Sequence, residues 1–370
     1  MPEAAANYEA RCRRLQQVLQ TGSADYFIAT PSADLFYLTG LTRPQSERLT
    51  LLVLPREGPI RLILPRFERI LAEHLATFFE LATWEETESP AELFVSLLPD
   101  HGRGKQIAVA NKMFSHFLYA LQAAAPEATF VPGGPLLDPL RMNKDKKEIE
   151  RLAAAGASGD HVFRGLLNEK LVGMSEIEVK ARILTLLKEF GPDAAGGAIV
   201  GAGANGASPH HHVGPRKLAS GDAVVIDFGG AFEGYWLDMT RTFHIGTPSA
   251  EFVRVYETVR QANQKAFETV RPGVSAESVD QAARTHIADA GYGEHFLHRT
   301  GHGIGLEIHE PPYIVHGNHQ VLEEGMTFSI EPGIYLSGKF GVRIEDIVAV
   351  TKDGARRFNL FTHELQEISA

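Results

Sequence analysis

Four acidic side chains and one histidine lie in places that disfavour charge. Asp227 sits inside VVIDFGG, an apolar run that reads as a buried strand. A lone buried carboxylate costs several kcal/mol, so it needs a partner or a cation. Taken singly, a salt-bridged or turn-capping aspartate is the commoner outcome. Asp238 follows in YWLDMTRTF, beyond Gly229, Gly230 and Gly234. Two strands joined by such a turn lie side by side, so their carboxylates can converge. They would then repel unless a cation or proton stood between them. Arg241 is the competing partner for Asp238.

His302 lies in RTGHGIGLEIHEPP, with glycines at 301, 303 and 305, which permit close backbone approach. His309 and Glu310 close that segment. Glu331 in FSIEPGIY and Glu345 in GVRIEDIVAV stand in strand-like apolar surroundings, where glutamate is disfavoured. Together these five residues carry a large unbalanced negative charge that two divalent cations would nearly neutralise. Oxygen-rich ligation with one imidazole suits Mn, Co, Fe or Zn better than copper or a zinc finger.

Two other motifs compete. GAGANG at 201–206 matches G-x-G-x-x-G, but a dinucleotide site needs a helix next. Here ASPHHHVGPR follows, so no cofactor-binding role is assigned and the segment is read as a glycine loop. His211 and His212 are read as ordinary loop residues.

The elements that must hold these residues fall into two halves. Residues 7–21 form an amphipathic pattern with Leu15, Val18 and Leu19 on one face. The runs DYFIAT, LFYLTG, LTLLVLP, IRLILP and KQIAVA read as strands, and FERILAEHLATFF as a helix, which predicts an α/β domain. Proline, glycine and charge then cluster from 132 to 148, which is linker composition. The predicted division is a domain over 1–135, a linker over 136–145 and a second domain over 146–370. The second is α+β: a helix over 148–170, helices capped by Ser175, Ser249 and Ser275, and the strands DAVVIDFGG, MTFSIEPGIYL and GVRIEDIVAVT. Gly191 with Pro192 ends the first capped helix, and Gly291 the last.

Composition narrows the function. The length of 370 residues favours two domains over one. Acidic residues outnumber basic ones, 46 to 36, without a Lys/Arg-rich run, so nucleic-acid binding lacks its electrostatic footprint. No apolar stretch is long enough for a membrane span. The single cysteine, Cys12, fits a reducing compartment, and a cytoplasmic enzyme is expected.

The series IDFG, LDMTRT, GHGIGLEIHE, IEPGIY and GVRIEDIV resembles the metal-binding motifs of the pita-bread metallopeptidases, which include methionine aminopeptidase, aminopeptidase P and prolidase. The match spans about 146–370. ADYFIATPSADLFYLTG resembles the opening strand-turn-strand of a creatinase-like N-terminal domain, which points to the proline-specific branch. The resemblance implies two divalent metal ions, manganese foremost, with cobalt, zinc or iron as alternatives. Asp227 would chelate one ion, Asp238 and Glu345 would bridge, and His302 and Glu331 would hold the other. The expected reaction is hydrolysis of the Xaa-Pro bond by a water bridging the metals. Glu331 would pass a proton to the leaving amine, and His210 and His309 would contact substrate. Tyr235 and Tyr335 fall where such proteins often carry tyrosines near the site.

The expected substrate is an Xaa-Pro dipeptide or short peptide, in a homodimer. Aminopeptidase P action on longer peptides is the alternative. A non-catalytic or metal-free relative would lack some of the five ligand positions, all of which are filled. A dipeptidase also needs a cation for the substrate carboxylate. Many prolidases place an arginine soon after the His-Glu pair, where this chain has Pro311 and Pro312; Arg343 and Arg299 remain as candidates.

Overall fold

The computed structural model describes residues 2–191 and 196–369, so Pro192 lies outside the described residues. The chain divides into two compact units, Met1–Arg141 and Met142–Ala370.

In the first unit, the helix Pro2–Thr21 buries Cys12, Leu15 and Leu19. Six strands form one mixed sheet, in the order Glu80–Trp84, Arg61–Pro65, Leu51–Pro55, Tyr26–Ala29, Gln106–Val109 and Thr129–Pro132. The central strand Tyr26–Ala29 pairs antiparallel on one side and parallel on the other. Two readings are corrected here. LFYLTG belongs to a helix, Ala33–Thr39: Ser32 accepts from the Leu35 amide at its start, and Gly40, at φ 73°, closes it. FERILAEHLATFF forms only short turns, at Arg66–Glu68, Arg69–Ala72 and Glu73–Leu75.

The stretch read as a linker is also largely helical. A helix covers Gly134–Met142, and the two units part between Arg141 and Met142. Pro139 lies inside that helix, so proline was a poor guide to an open chain at this point.

The second unit opens with a long helix, Lys146–Leu167, whose start is fixed by a reciprocal cap between Asp145 and Glu148. Ser175, Ser249 and Ser275 cap the helices Glu176–Phe190, Ala250–Thr269 and Ala276–Asp289. Gly191 follows the first of these in an extended conformation, and Gly291, at φ 86°, follows the last. Two sheets carry the chemistry. One runs Gln366–Ile368, Tyr235–Ile245, Ala223–Phe232 and Ala198–Ala202; its first pair is parallel and the rest antiparallel. The other is antiparallel, in the order Glu310–Ile314, Gly301–Gly303, Thr327–Ile330, Asp346–Thr351 and Gly354–Arg357. A hairpin, Gly333–Leu336 with Phe340–Arg343, lies between the last two acidic positions.

Phe163 of the long helix packs on Phe228 and Phe243 of the first sheet, at 4.9 and 5.5 Å between ring centroids. Helix Ala250–Thr269 buries Phe252, Val255, Val259 and Ala262 in the same cluster as Phe328, Ile330 and Val348 of the second. The α/β and α+β classes expected for the two halves are the observed ones.

Candidate metal centre

Register brings the acids together. In the hairpin formed by Ala223–Phe232 and Tyr235–Ile245, Asp227 faces Thr240 and Gly229 faces Asp238. Asp227 and Gly229 share a strand face, so Asp238 projects on the same side, diagonal to Asp227. Gly229 has no side chain to separate them. Thr240 bridges to Glu345, which brings a third acid in from the second sheet. Glu331 follows strand Thr327–Ile330, which pairs with Asp346–Thr351, and its amide donates to the Thr300 carbonyl.

The glycines beside His302 have a measurable function. A Cβ at Gly301 would fall 1.8 Å from the Ser329 carbonyl oxygen, and one at Gly303 would fall 2.2 Å from that of Pro311. Only glycine lets the His302 strand press between its neighbours.

The result is a cavity of about 590 Å³, lined by Asp227, Asp238, His302, Glu331 and Glu345, with His210 and His309 at the same opening. That volume is in the range of small-ligand sites. Asp238, His302 and Glu345 are buried, whereas His210 and His309 are exposed. The rings of His302 and His309 stand edge to face at 4.1 Å.

Ligand atoms fall into overlapping triads. Asp227, Asp238 and Glu345 form one; His302, Glu331 and Glu345 form a second; each set lies within 4.8 Å. Glu345 belongs to both. A third triad joins Asp238 and His302 to His309, a residue read from the sequence as a substrate contact only.

The electrostatics call for cations. Four carboxylates face this cavity, and among the described residues the one buried cation against them is Arg343, which donates to Asp227 Oδ2 at 2.6 Å. The salt-bridge alternative for Asp227 therefore holds in part. Arg241, the competing partner for Asp238, turns instead to Asp346 at 2.7 Å. Burial, then Asp227 and Glu331, push Asp238 well above its ordinary range; burial, then Asp238 and Glu331, do the same to Glu345. Burial raises Glu331 to about 7, against the opposing pull of Arg343. These shifts describe acids that resist ionising together without a counter-charge.

His302 fits the same account. Its Nδ1 lies 3.1 Å from the Gly303 carbonyl, so it carries the proton and donates there. That turns the Nε2 lone pair towards Glu331 Oε1 at 3.3 Å and Asp238 Oδ2 at 3.5 Å. Burial, then His309, hold the ring neutral, with its pKa near 3. A lone pair aimed at two carboxylate oxygens is unfavourable unless a cation or proton lies between. Glu345 Oε2 accepts from Thr240 Oγ1 at 2.6 Å, while its buried Oε1 has no hydrogen-bond partner. The donor set, the shared carboxylate and the orphaned oxygen all fit two divalent ions.

The surrounding frame includes residues that sequence reasoning passed over. Arg343 Nη1 donates to the Tyr335 hydroxyl at 2.8 Å, which lies 2.8 Å from His298 Nε2; His298 Nδ1 in turn meets the Arg299 carbonyl at 2.8 Å. Burial lowers the His298 pKa to about 4, so it acts as a neutral link. Tyr235 is buried elsewhere and donates to Glu148. His211 is no ordinary loop residue. Its Nε2 lies 2.8 Å from fully buried Glu176, which also accepts from Asn205 and from the Ala202 and Gly214 amides. Burial alone would raise the Glu176 pKa, but those four donors hold it below its ordinary value. Glu176 thereby ties down the loop that carries His210. A glutamate at the first position of a capped helix gave no hint of this; the three-histidine run was the available signal.

Both halves of the chain have relatives among known proteins. Residues 150–352 match the model of metallopeptidase family M24, and residues 11–143 match the creatinase/prolidase N-terminal domain. The chain is 43% identical over 342 residues to a probable dipeptidase PepE of Mycobacterium tuberculosis, covering 91% of this chain and 90% of that protein. It is 34% identical over 362 residues to an Xaa-Pro dipeptidase of Lactobacillus helveticus, covering 95% and 96%. The crystal structure of dipeptidase PepE from Mycobacterium ulcerans superposes with a TM-score of 0.94 at 40% identity, over 99% of both chains.

Proposed function

Given that the chain belongs to metallopeptidase family M24, we propose that it is an Xaa-Pro dipeptidase working with two manganese ions. The observation that carries the metal half of this reading is Glu345, which belongs to two ligand triads and has a buried oxygen without a partner. The substrate half is supported by the names of its relatives, a probable dipeptidase and an Xaa-Pro dipeptidase.

In this reading Asp227 would hold one ion, His302 and Glu331 would hold the other, and Asp238 and Glu345 would serve both. When bound, the ions supply a water acidic enough to ionise near neutral pH. The protein's own residues do the rest. Glu331 Oε1 is engaged by Ser329 Oγ at 3.2 Å, which leaves Oε2 to take a proton and return it to the leaving proline nitrogen. Exposed His210 and His309 line the cavity mouth, where imidazole N–H groups can donate to a substrate carbonyl as its oxygen gains charge. The acidic cluster favours the substrate's terminal ammonium.

We also infer a cytoplasmic homodimer. Its single cysteine is a buried free thiol, and among the described residues no helix is long and apolar enough to cross a membrane. The dimer rests on family resemblance and is checked by light scattering.

The test is to chelate the enzyme, restore manganese, and assay an Xaa-Pro dipeptide beside an Xaa-Pro tripeptide. Metal-dependent cleavage favouring the dipeptide is expected. Equal or faster action on the tripeptide would move the assignment to aminopeptidase P.

A further inference from the structure

We infer that Arg299 receives the C-terminal carboxylate of the dipeptide, an assignment that rests on the dipeptidase reading above. A dipeptide brings an ammonium, a scissile carbonyl and a carboxylate into the cavity. The carboxylate needs a cation, and the lining offers Lys180, Arg299 and Arg343.

Arg343 is committed. Its Nη2 serves Asp227, its Nη1 serves Tyr335 and the Pro209 carbonyl, and its Nε serves Thr240 Oγ1 at 3.1 Å. It is 3% exposed, so turning it to a substrate would strip a proposed metal ligand of its partner. Lys180 lies on helix Glu176–Phe190 as a mobile point charge without a fixed fork of donors.

Arg299 differs from both. Its guanidinium lies over the Tyr313 ring, 4.5 Å from the centroid, and among the described residues no carboxylate stands within ion-pair distance of it. Stacking restrains the guanidinium plane and leaves the N–H edge free for a bidentate acceptor. Its backbone is also fixed, because the Arg299 carbonyl accepts from His298. Strand pairing sets Tyr313 opposite His302, so the stacked pair stands beside the metal-facing histidine. Arg299 lines the same cavity as Glu331 and His302. Glu331 is the residue proposed to protonate the leaving nitrogen. In a dipeptide the carboxylate belongs to that leaving residue, one carbon from its nitrogen. A guanidinium held beside His302 in the cavity that Glu331 lines is therefore placed to meet that carboxylate.

The experiment compares wild type, Arg299→Met, Arg299→Lys and Lys180→Met, all manganese-loaded, on an Xaa-Pro dipeptide and on its C-terminal amide. Arg299→Met should raise KM for the dipeptide by roughly 10- to 100-fold, the worth of hydrogen bonds to a charged group. KM for the amide, kcat and metal content should stay near wild type. Arg299→Lys should recover part of the loss, since it restores charge without the fork. Lys180→Met should leave both substrates unaffected. Equal losses on acid and amide, or no loss on the dipeptide, would overturn the assignment, as would a dipeptide-selective loss in Lys180→Met. Failure of the underlying reading looks different: wild type itself would then show no preference for the free acid over the amide.

Discussion

Glu345 and Asp346 are neighbours in sequence, both buried, and have opposite fates. Asp346 is surrounded by partners: the cations Arg241 at 2.7 Å and Arg357 at 3.1 Å, and the imidazole of His363 at 2.7 Å. Although burial alone would raise it, Arg241, then His363 and Arg357, hold its pKa well below the usual carboxylate range. Glu345 faces Asp238, Glu331 and Asp227, and its pKa is driven up. The difference separates an acid built to stabilise the fold from one built to receive something the chain does not contain. A buried carboxylate compensated by the protein is structural. One left uncompensated among its own kind points to a missing cation.

The strongest challenge to this contrast removes an acid from the uncompensated side. Asp238→Ala should lose bound metal and lower turnover by at least about a thousandfold, while remaining folded. Elemental analysis and a dipeptide assay test this, and retained turnover with full metal content would take Asp238 out of the site. The matching change on the other side is Asp346→Ala. It strands Arg241 in the core and should cost about 3–5 kcal/mol of stability in denaturant unfolding. A variant as stable as wild type would show that the Asp346 cluster is ornamental.

The smallest and sharpest effect is in pH. In chelated protein, burial raises Glu331 from 4.5 to about 7 in the folded state. The folded form then binds more protons than the unfolded one. Its stability is greatest below the unfolded carboxylate pKa and falls as pH rises through the folded value. Asp346 has the opposite sign, because its stabilisation is present above its unfolded pKa of 3.8 and is lost as pH falls. The thermal midpoint of chelated enzyme should therefore drop between about pH 5 and about pH 7.5, and that of metal-loaded enzyme should not. Parallel curves for the two forms would contradict the assignment of Glu331 to a metal.

Much of this contrast was legible in the sequence, because a charge within an apolar strand is visible without coordinates. Asp227, Asp238, His302, Glu331 and Glu345 all stood out on that ground, and all line one cavity. The caps at Ser175, Ser249 and Ser275 were legible because capping is local. What escaped notice depended on distant partners. Nothing near Glu176 announces four donors drawn from 202–214, and nothing near Arg343 announces Asp227. LFYLTG misled because a six-residue apolar run fits strand or helix, although Ser32 and Gly40 framed it as a helix. The stretch 136–145 misled because proline and charge can sit in a helix as well as in a linker.

The adjacency of Glu345 and Asp346 has a consequence for assembly of the chain. Extended residues alternate sides, so this one backbone divides a chamber hungry for cations from a knot already saturated with them. A slip of a single residue against Thr327–Ile330 would turn each acid to the opposite face. It would thrust Glu345 among arginines shaped for a shorter side chain and leave Asp346 reaching for ions from too far back. Misthreaded forms are thus penalised on both surfaces at once, and the pairing of charges helps proofread the alignment of the sheet.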